Sequence, residues 1–269
     1  MTPRELTIKY GITPNKALGQ NFLADESAVR RIVSAAAEPG LPVLEIGPGL
    51  GALTAPLVET GLPIAAVELD SAMCAVLKAE LGDGLYIVNE DFLKCDLNAV
   101  HAVLGGGEIL IVGNLPYYIT GAIVQRLVLS GLPLRRMTLM MQKEASERFT
   151  AKPCDKNYVP LTVLAQRLYT VRPMMDLSPA SYWPQPDVAS TVLLFERNGN
   201  SLPAMLPRIV KAAFAMRRKT LQNNLSALGL TKAQASELIV FCGLDPKARA
   251  ETLSCSEFVS LAEAFESMR

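Results

Sequence analysis

The segment Val43-Leu44-Glu45-Ile46-Gly47-Pro48-Gly49-Leu50-Gly51-Ala52-Leu53-Thr54 reads as a buried strand, a glycine-rich turn and the start of a helix. Glycines there let the backbone pass close to a ligand, and the helix start offers N–H groups without partners. A nucleotide-type cofactor suits such a turn, although a plain tight connection between strand and helix has the same outline. Similar apolar runs follow at Pro63-Ile64-Ala65-Ala66-Val67, Leu85-Tyr86-Ile87-Val88 and Ile109-Leu110-Ile111-Val112, alternating with amphipathic segments up to about Met141. That alternation predicts an α/β fold with a doubly wound sheet. Ligands in open sheets of this kind bind at the carboxyl ends of the strands.

Polar residues stand at those ends. Glu68 ends the second run, where a carboxylate can accept both hydroxyl hydrogens of a ribose. With Gly47, Gly49 and Ala52 it also satisfies the dinucleotide fingerprint G-x-G-x-x-G/A, whose acid follows about 20 residues on. A nicotinamide dinucleotide and S-adenosylmethionine both fit at this point. Asp91 ends the third run and precedes Phe92, a carboxylate beside an aromatic face that suits an adenine. The alternative is a helix N-cap with Phe92 in the core. The fourth run ends in Asn114-Leu115-Pro116-Tyr117. An exocyclic ring amine is a poor nucleophile, because its lone pair is delocalised into the ring. The Asn oxygen and a neighbouring carbonyl, from Leu115 or Pro116, can accept its two hydrogens and turn the lone pair outward. Pro116 stiffens the backbone and holds Leu115 extended, and Tyr117 offers a face for stacking a base. An ordinary strand-to-helix turn would use the same residue types.

Taken together, these residues resemble the rRNA adenine dimethyltransferases of the KsgA (RsmA) type, nearly end to end. Gly19-Gln20-Asn21-Phe22-Leu23 is similar to the N-terminal cofactor-contacting segment of that family. Glu45-Ile46-Gly47-Pro48-Gly49 resembles its cofactor loop, Val67-Glu68-Leu69-Asp70 its ribose-binding strand end and Asn114-Leu115-Pro116-Tyr117 its catalytic motif. Gln142-Lys143-Glu144, Arg217-Arg218-Lys219-Thr220-Leu221-Gln222-Asn223-Asn224-Leu225 and Arg249-Ala250-Glu251-Thr252-Leu253-Ser254 extend the likeness, the last two favouring the small-subunit branch.

The resemblance implies a Rossmann-like class I S-adenosylmethionine-dependent methyltransferase sheet with a small C-terminal all-helical domain. It implies S-adenosyl-L-methionine as cofactor, contacted by Asn21, Leu23, Gly47, Gly49, Glu68, Asp91, Phe92 and Asn114. Asn114, Leu115, Pro116 and Tyr117 would hold the target adenine, and Arg217, Arg218 and Lys219, expected on a basic helix, would contact RNA. The expected reaction is dimethylation of two adjacent adenosines near the 3′ end of 16S rRNA within an assembling ribosomal particle. Two positions depart from the family pattern. Pro153-Cys154-Asp155-Lys156-Asn157-Tyr158-Val159-Pro160 stands where the family loop carries glycines, and Ala189 where Asp is common. A large-subunit rRNA methyltransferase of the macrolide-resistance type shares the chemistry. An NAD-dependent oxidoreductase would use the glycine turn and Glu68 but leave Asn114-Leu115-Pro116-Tyr117 without a role.

Composition narrows the remaining choices. The five cysteines are scattered without C-x-x-C spacing, and His101 is the only histidine, which argues against a disulfide framework, a zinc site or a multi-histidine metal site. No apolar run reaches the ~18 residues of a membrane span, and the start of the chain leads into no signal-like stretch, so a cytoplasmic, monomeric protein without metal or membrane partner is expected. The 26 basic and 26 acidic residues cancel, yet positive charge clusters at Arg208, Lys211 and Arg217-Arg218-Lys219, at Arg135-Arg136, and at Lys143, Arg148 and Lys152. Leu161-Thr162-Val163-Leu164 and Thr191-Val192-Leu193-Leu194-Phe195 look like further strands, with Tyr182-Trp183-Pro184-Gln185-Pro186 as a non-helical turn between them. After Asn198-Gly199-Asn200, helical spacing takes over. The expected partition is a catalytic domain over 1–198 and a helical RNA-binding domain over 199–269.

Overall fold

The computed structural model describes residues 1–15 and 18–268. Along the chain its strands are β1 (Phe22–Leu23), β2 (Val43–Ile46), β3 (Ile64–Glu68), β4 (Tyr86–Asn89), β5 (Ile109–Asn114), β6 (Leu134–Gln142), β7 (Tyr169–Leu177), β8 (Tyr182–Trp183) and β9 (Ser190–Arg197). Seven of them form one sheet in the order β4-β3-β2-β5-β6-β9-β7. Strands β4 through β6 pair in parallel, and β9 runs antiparallel to β6. Every residue of β2 and β3 is buried, as expected of parallel strands covered on both faces, and this is why their sequences are apolar apart from Glu45 and Glu68.

The chain lays β3 and β4 to one side of β2, then returns to place β5 and β6 on the other. Such a switch in direction opens a crevice beyond the carboxyl ends of the two central strands. Two of the helices of this unit start where a short acidic side chain accepts their free N–H groups. Asp25 accepts from Ala28 N at 3.0 Å to begin Glu26–Ala36, and Asp70 accepts from Ala72 N at 2.9 Å to begin Ser71–Leu81. In Glu26–Ala36 the buried residues Ala28, Ile32, Val33 and Ala36 recur at helical spacing and face the core with Leu110 and Val112 of β5.

The N-terminal segment is tied to the same body. Strand β1 pairs antiparallel with β8, Phe22 opposite Trp183 and Leu23 opposite Tyr182, and Ala24 N donates to Ser181 O at 2.8 Å. The Tyr182-Trp183-Pro184 segment is thus not helical, as its prolines require, and it serves as a clamp on the segment carrying Asn21 and Leu23.

Two compact units divide the chain: Met1–Ser146 with Arg172–Arg197, and Glu147–Val171 with Asn198–Arg269. This differs from a boundary at 198, because residues 147–171 pack with the C-terminal helices. Leu161-Thr162-Val163-Leu164 is not a strand; it lies in the helix Pro160–Leu168, with Pro160 in the first turn. A short apolar run carries no period long enough to separate strand from buried helix. Its neighbours explain the choice. Tyr158, Phe214 and Phe258 form an aromatic cluster with centroid separations of 6.1 and 5.7 Å inside the second unit. In the preceding loop Cys154 has φ 72°, a left-handed conformation for which glycine is the usual residue.

Candidate active site

At the carboxyl ends of β2, β3, β4 and β5 lies a cleft within the first unit. Asn21, Leu23, Gly47, Gly49, Glu68, Asp91, Phe92 and Asn114, the residues expected at a cofactor, all line it. Its floor is set by the glycine turn. Gly49 has φ 56°, and a Cβ there would stand 3.0 Å from the ring of Phe22, so only glycine lets the turn and the β1 segment approach this closely. Gly49 N donates to Glu68 Oε2 at 3.0 Å, and Asp70 N donates to Glu68 Oε1 at 2.9 Å. Asn89 Nδ2 fixes the same strand end by donating to the Glu68 carbonyl at 2.9 Å. Burial raises the Glu68 carboxyl above the ordinary Glu value, against the lowering effect of those backbone N–H groups.

Glu45, two residues before Gly47, also lines the cleft and is 2% exposed. Burial pushes its carboxyl up to about 8; the Glu68 charge adds to the rise, and the Thr54 hydroxyl lies close enough to oppose it without meeting hydrogen-bond geometry. Among the described residues, Glu45 Oε2 has no hydrogen-bond partner. The sequence signal for this site is a charged residue inside an otherwise apolar strand.

Asp91 and Phe92 sit on a turn after β4. Asp91 Oδ1 accepts from Leu93 N at 2.9 Å within this turn, while the next helix, Leu97–Val103, takes Asp96 as its N-cap, so Asp91 caps no helix and faces the cleft. Arg126, on the helix Thr120–Leu129, donates to the carbonyls of Phe92 and Cys95, and its guanidinium lies 5.7 Å from the centroid of the Phe92 ring. One cation thereby staples the turn from behind.

The Asn114 amide donates to Asn21 O at 2.9 Å. This commits its nitrogen and leaves Oδ1 as an acceptor. Leu115 N donates to Met140 O at 2.9 Å, carrying the strand geometry one residue past β5. The Pro116 carbonyl accepts from Ile119 N at 3.3 Å and from Thr120 Oγ1 at 3.0 Å. Of the two carbonyls weighed as acceptors for an amine, Leu115's is the one outside this pair of bonds. Tyr117 is half-buried with its hydroxyl 3.0 Å from Ser190 Oγ. Its neighbour Tyr118, which the sequence did not single out, is 60% exposed and lines the cleft.

The basic residues separate into two kinds. Arg136 pairs with Glu38 at 3.0 Å and Glu196 at 3.8 Å, and Lys143 pairs with Asp176 at 2.8 Å, so these join elements of the first unit. Arg217, Arg218 and Lys219 are exposed on a loop between Leu206–Ala213 and Leu221–Leu225, not on a helix. The buried Asn224 holds that loop: its Nδ2 donates to Ala213 O at 2.6 Å and Met216 O at 3.1 Å, and its Oδ1 accepts from Met216 N at 3.2 Å. These bonds take up the backbone groups that a continuing helix would have used. Arg217 donates to Lys156 O at 3.3 Å and pairs with Glu251 at 3.4 Å, bringing exposed Lys156 beside it. Among the described residues, no helix is long and apolar enough to cross a membrane, and no group of three His, Cys, Asp or Glu side chains is placed to hold a metal.

Residues 11–267 match the profile of the family described as ribosomal RNA adenine dimethylase. The chain belongs to that family. Among curated dimethylase relatives, ribosomal RNA small subunit methyltransferase A of Desulfitobacterium hafniense is 41% identical over 266 residues, covering 96% of this chain and 94% of the relative. The protein of the same description from Geobacillus thermodenitrificans is 38% identical over 275 residues, covering 97% and 94%. Among solved structures, a dimethyladenosine transferase from Plasmodium falciparum superposes with TM-score 0.73 at 22% identity, over 91% of this chain and 98% of that one. The 23S rRNA methyltransferase ErmE superposes at 0.66 and 23% identity, over 91% and 100%. The sheet of this dimethylase is that of the class I S-adenosylmethionine-dependent methyltransferases.

Proposed function

We propose that this protein dimethylates the exocyclic amines of two adjacent adenosines near the 3′ end of small-subunit rRNA, using S-adenosylmethionine, as a cytoplasmic monomer acting on an assembling ribosomal particle. The carrying observation is the chemistry of the cleft. Glu45, Glu68, Glu90 and Asp91 line it, and no Lys, Arg or His among the described residues does. A nucleoside bearing positive charge suits that lining. A dinucleotide brings a pyrophosphate, whose negative charge an acidic lining repels, and the oxidoreductase reading also leaves Asn114, Leu115, Pro116 and Tyr117 without a role.

The cofactor, when bound, supplies a methyl group on a sulfonium, already a good electrophile. Glu68 keeps acceptor capacity for ribose hydroxyls beyond its two backbone bonds, and Asp91 with Phe92 offers a carboxylate and a ring face to an adenine. What remains for the protein is orientation and charge complementarity. The target adenine leaves its stack to enter the cleft, as for other enzymes acting on bases. Asn114 Oδ1 and the Leu115 carbonyl would accept its amine hydrogens and aim the lone pair. After one transfer a single N–H remains, and one acceptor suffices to aim the nitrogen for the second. In this reading the first unit carries the catalysis. The loop bearing Arg217, Arg218 and Lys219 meets RNA phosphates from the second unit.

The test is incubation with methyl-labelled S-adenosylmethionine and undermodified small-subunit particles, with naked large-subunit rRNA in parallel, followed by mass spectrometry of nucleosides. Dimethyladenosine at neighbouring small-subunit positions is expected; label only in large-subunit rRNA would move the protein to the resistance-type reaction.

A further inference from the structure

Among the described residues, one buried carboxyl of the cleft has no counter-ion. Glu45 projects from the carboxyl end of β2, is 2% exposed, and keeps Oε2 out of every hydrogen bond while lining the cavity. The charged and polar groups around it come from each neighbouring element. Glu68 at the end of β3 has both carboxylate oxygens held by backbone N–H groups, which stabilise its anion. Glu90 and Asp91 face the cavity from the turn after β4, Thr54 brings a neutral hydroxyl from the helix Thr54–Val58, and Asn114 brings a neutral amide from β5. Lys94 stands on the outer side of the turn, 3.8 Å from Asp91 and 83% exposed, while Arg126 is engaged with carbonyls behind that turn. An anionic Glu45 in the ligand-free protein would therefore be a second buried negative charge beside Glu68, with an oxygen unpaired and, among the described residues, no cation lining the cavity. Burying a charge this way is costly, and a protonated carboxyl is the stable alternative. A cationic ligand in the cavity reverses the balance, because attraction across a dry site is strong.

We propose that Glu45 is the counter-charge for the cationic end of the methyl donor, protonated in the free protein and giving up its proton to solvent when the donor binds. This rests on the cleft being an S-adenosylmethionine site. Both charges at the methionyl end, the sulfonium and the α-ammonium, have the required chemistry.

Isothermal titration of S-adenosylmethionine into the full chain at neutral pH, in buffers of different ionisation enthalpy, reads the protons exchanged. The wild type should release close to one more proton than Glu45→Gln, which keeps the side chain's shape while removing its titration. Below the Glu45 titration, wild-type affinity should gain up to about tenfold per pH unit over the variant, the limit for release of one proton. S-adenosylhomocysteine keeps the ammonium and lacks the sulfonium. Proton release retained with it assigns the ammonium as Glu45's partner, and release lost with it assigns the sulfonium. Binding by the wild type with the same proton count as Glu45→Gln would overturn the inference and leave the cofactor reading intact. Should the variant not fold, a wild-type proton count near zero at neutral pH overturns it equally. No binding of S-adenosylmethionine at all would remove the cofactor reading itself, and this inference with it.

Discussion

Single residues in this molecule hold their roles through specific bonds. Asn114 uses its amide nitrogen on Asn21 O, so its oxygen is both free and aimed. Replacing it by Ala removes the acceptor for the target amine but leaves Glu68, Asp91 and Phe92 in place. Asn114→Ala should retain measurable cofactor binding by calorimetry and lose turnover by about 10²-fold or more, the scale of an oriented polar group in a transition state; near-normal turnover would refute the role. Asn224 serves architecture in the same way. Asn224→Ala strands backbone groups of Ala213 and Met216 that its side chain satisfied, and should cost about 2–3 kcal/mol by denaturant midpoint. Glu45 and Glu68 set a pH dependence. Both carboxyls are raised on folding, so the stability they favour is fully present below the unfolded value near 4.5 and is lost as pH rises, for Glu45 through about 8. The melting temperature of the ligand-free protein should fall between mildly acidic and mildly alkaline pH, and Glu45→Gln should flatten much of that slope.

At the scale of elements, the site is an assembly of strand ends, each pinned by a neighbour. The glycine turn is joined to β3 through Glu68, the N-terminal segment to β8 through the β1 pairing, and the Asp91 turn to the helix Thr120–Leu129 through Arg126. Arg126 does not line the cleft, so its removal tests whether a staple behind the turn matters to what the turn holds. Arg126→Met keeps the aliphatic stem and loses both bonds to Phe92 and Cys95. Cofactor affinity should weaken about tenfold, or ~1.4 kcal/mol, with turnover at saturating cofactor little changed; an unaltered dissociation constant would show that the turn holds its shape alone.

The whole molecule carries no net charge, which is unhelpful for binding RNA phosphates at long range. Local charge is what remains available. Arg136 and Lys143 are engaged in ion pairs inside the first unit, whereas Arg218 and Lys219 form no ion pair among the described residues and lie exposed beside Arg217. Charge reversal of Arg218 and Lys219 together should weaken particle binding and lower the slope of log affinity against log salt by about 2, close to one for each phosphate contact removed. An unchanged slope would place the RNA contacts elsewhere. Arg217 is a poorer probe, since its pair with Glu251 also holds the loop.

Strand ends and glycine turns were legible in the sequence because buried parallel strands are mostly apolar, and a polar residue closing such a run stands out at the strand's carboxyl end. Glu68, Asp91 and Asn114 announced themselves in this way, and the glycines between β2 and the next helix announced a close approach. Three features were decided only in the folded molecule. The run 161–164 became helix and joined the C-terminal unit, since so short a run fits either period and the helix Pro160–Leu168 packs against Leu206–Ala213 and Cys255–Ser267. The basic segment became a loop because the distant-looking Asn224 side chain could satisfy its backbone. Which carboxylates are buried, paired or orphaned also depended on tertiary structure. Local sequence sets the dihedral preferences and the apolar pattern, but desolvation and the identity of a hydrogen-bond partner are properties of neighbours brought together from far along the chain.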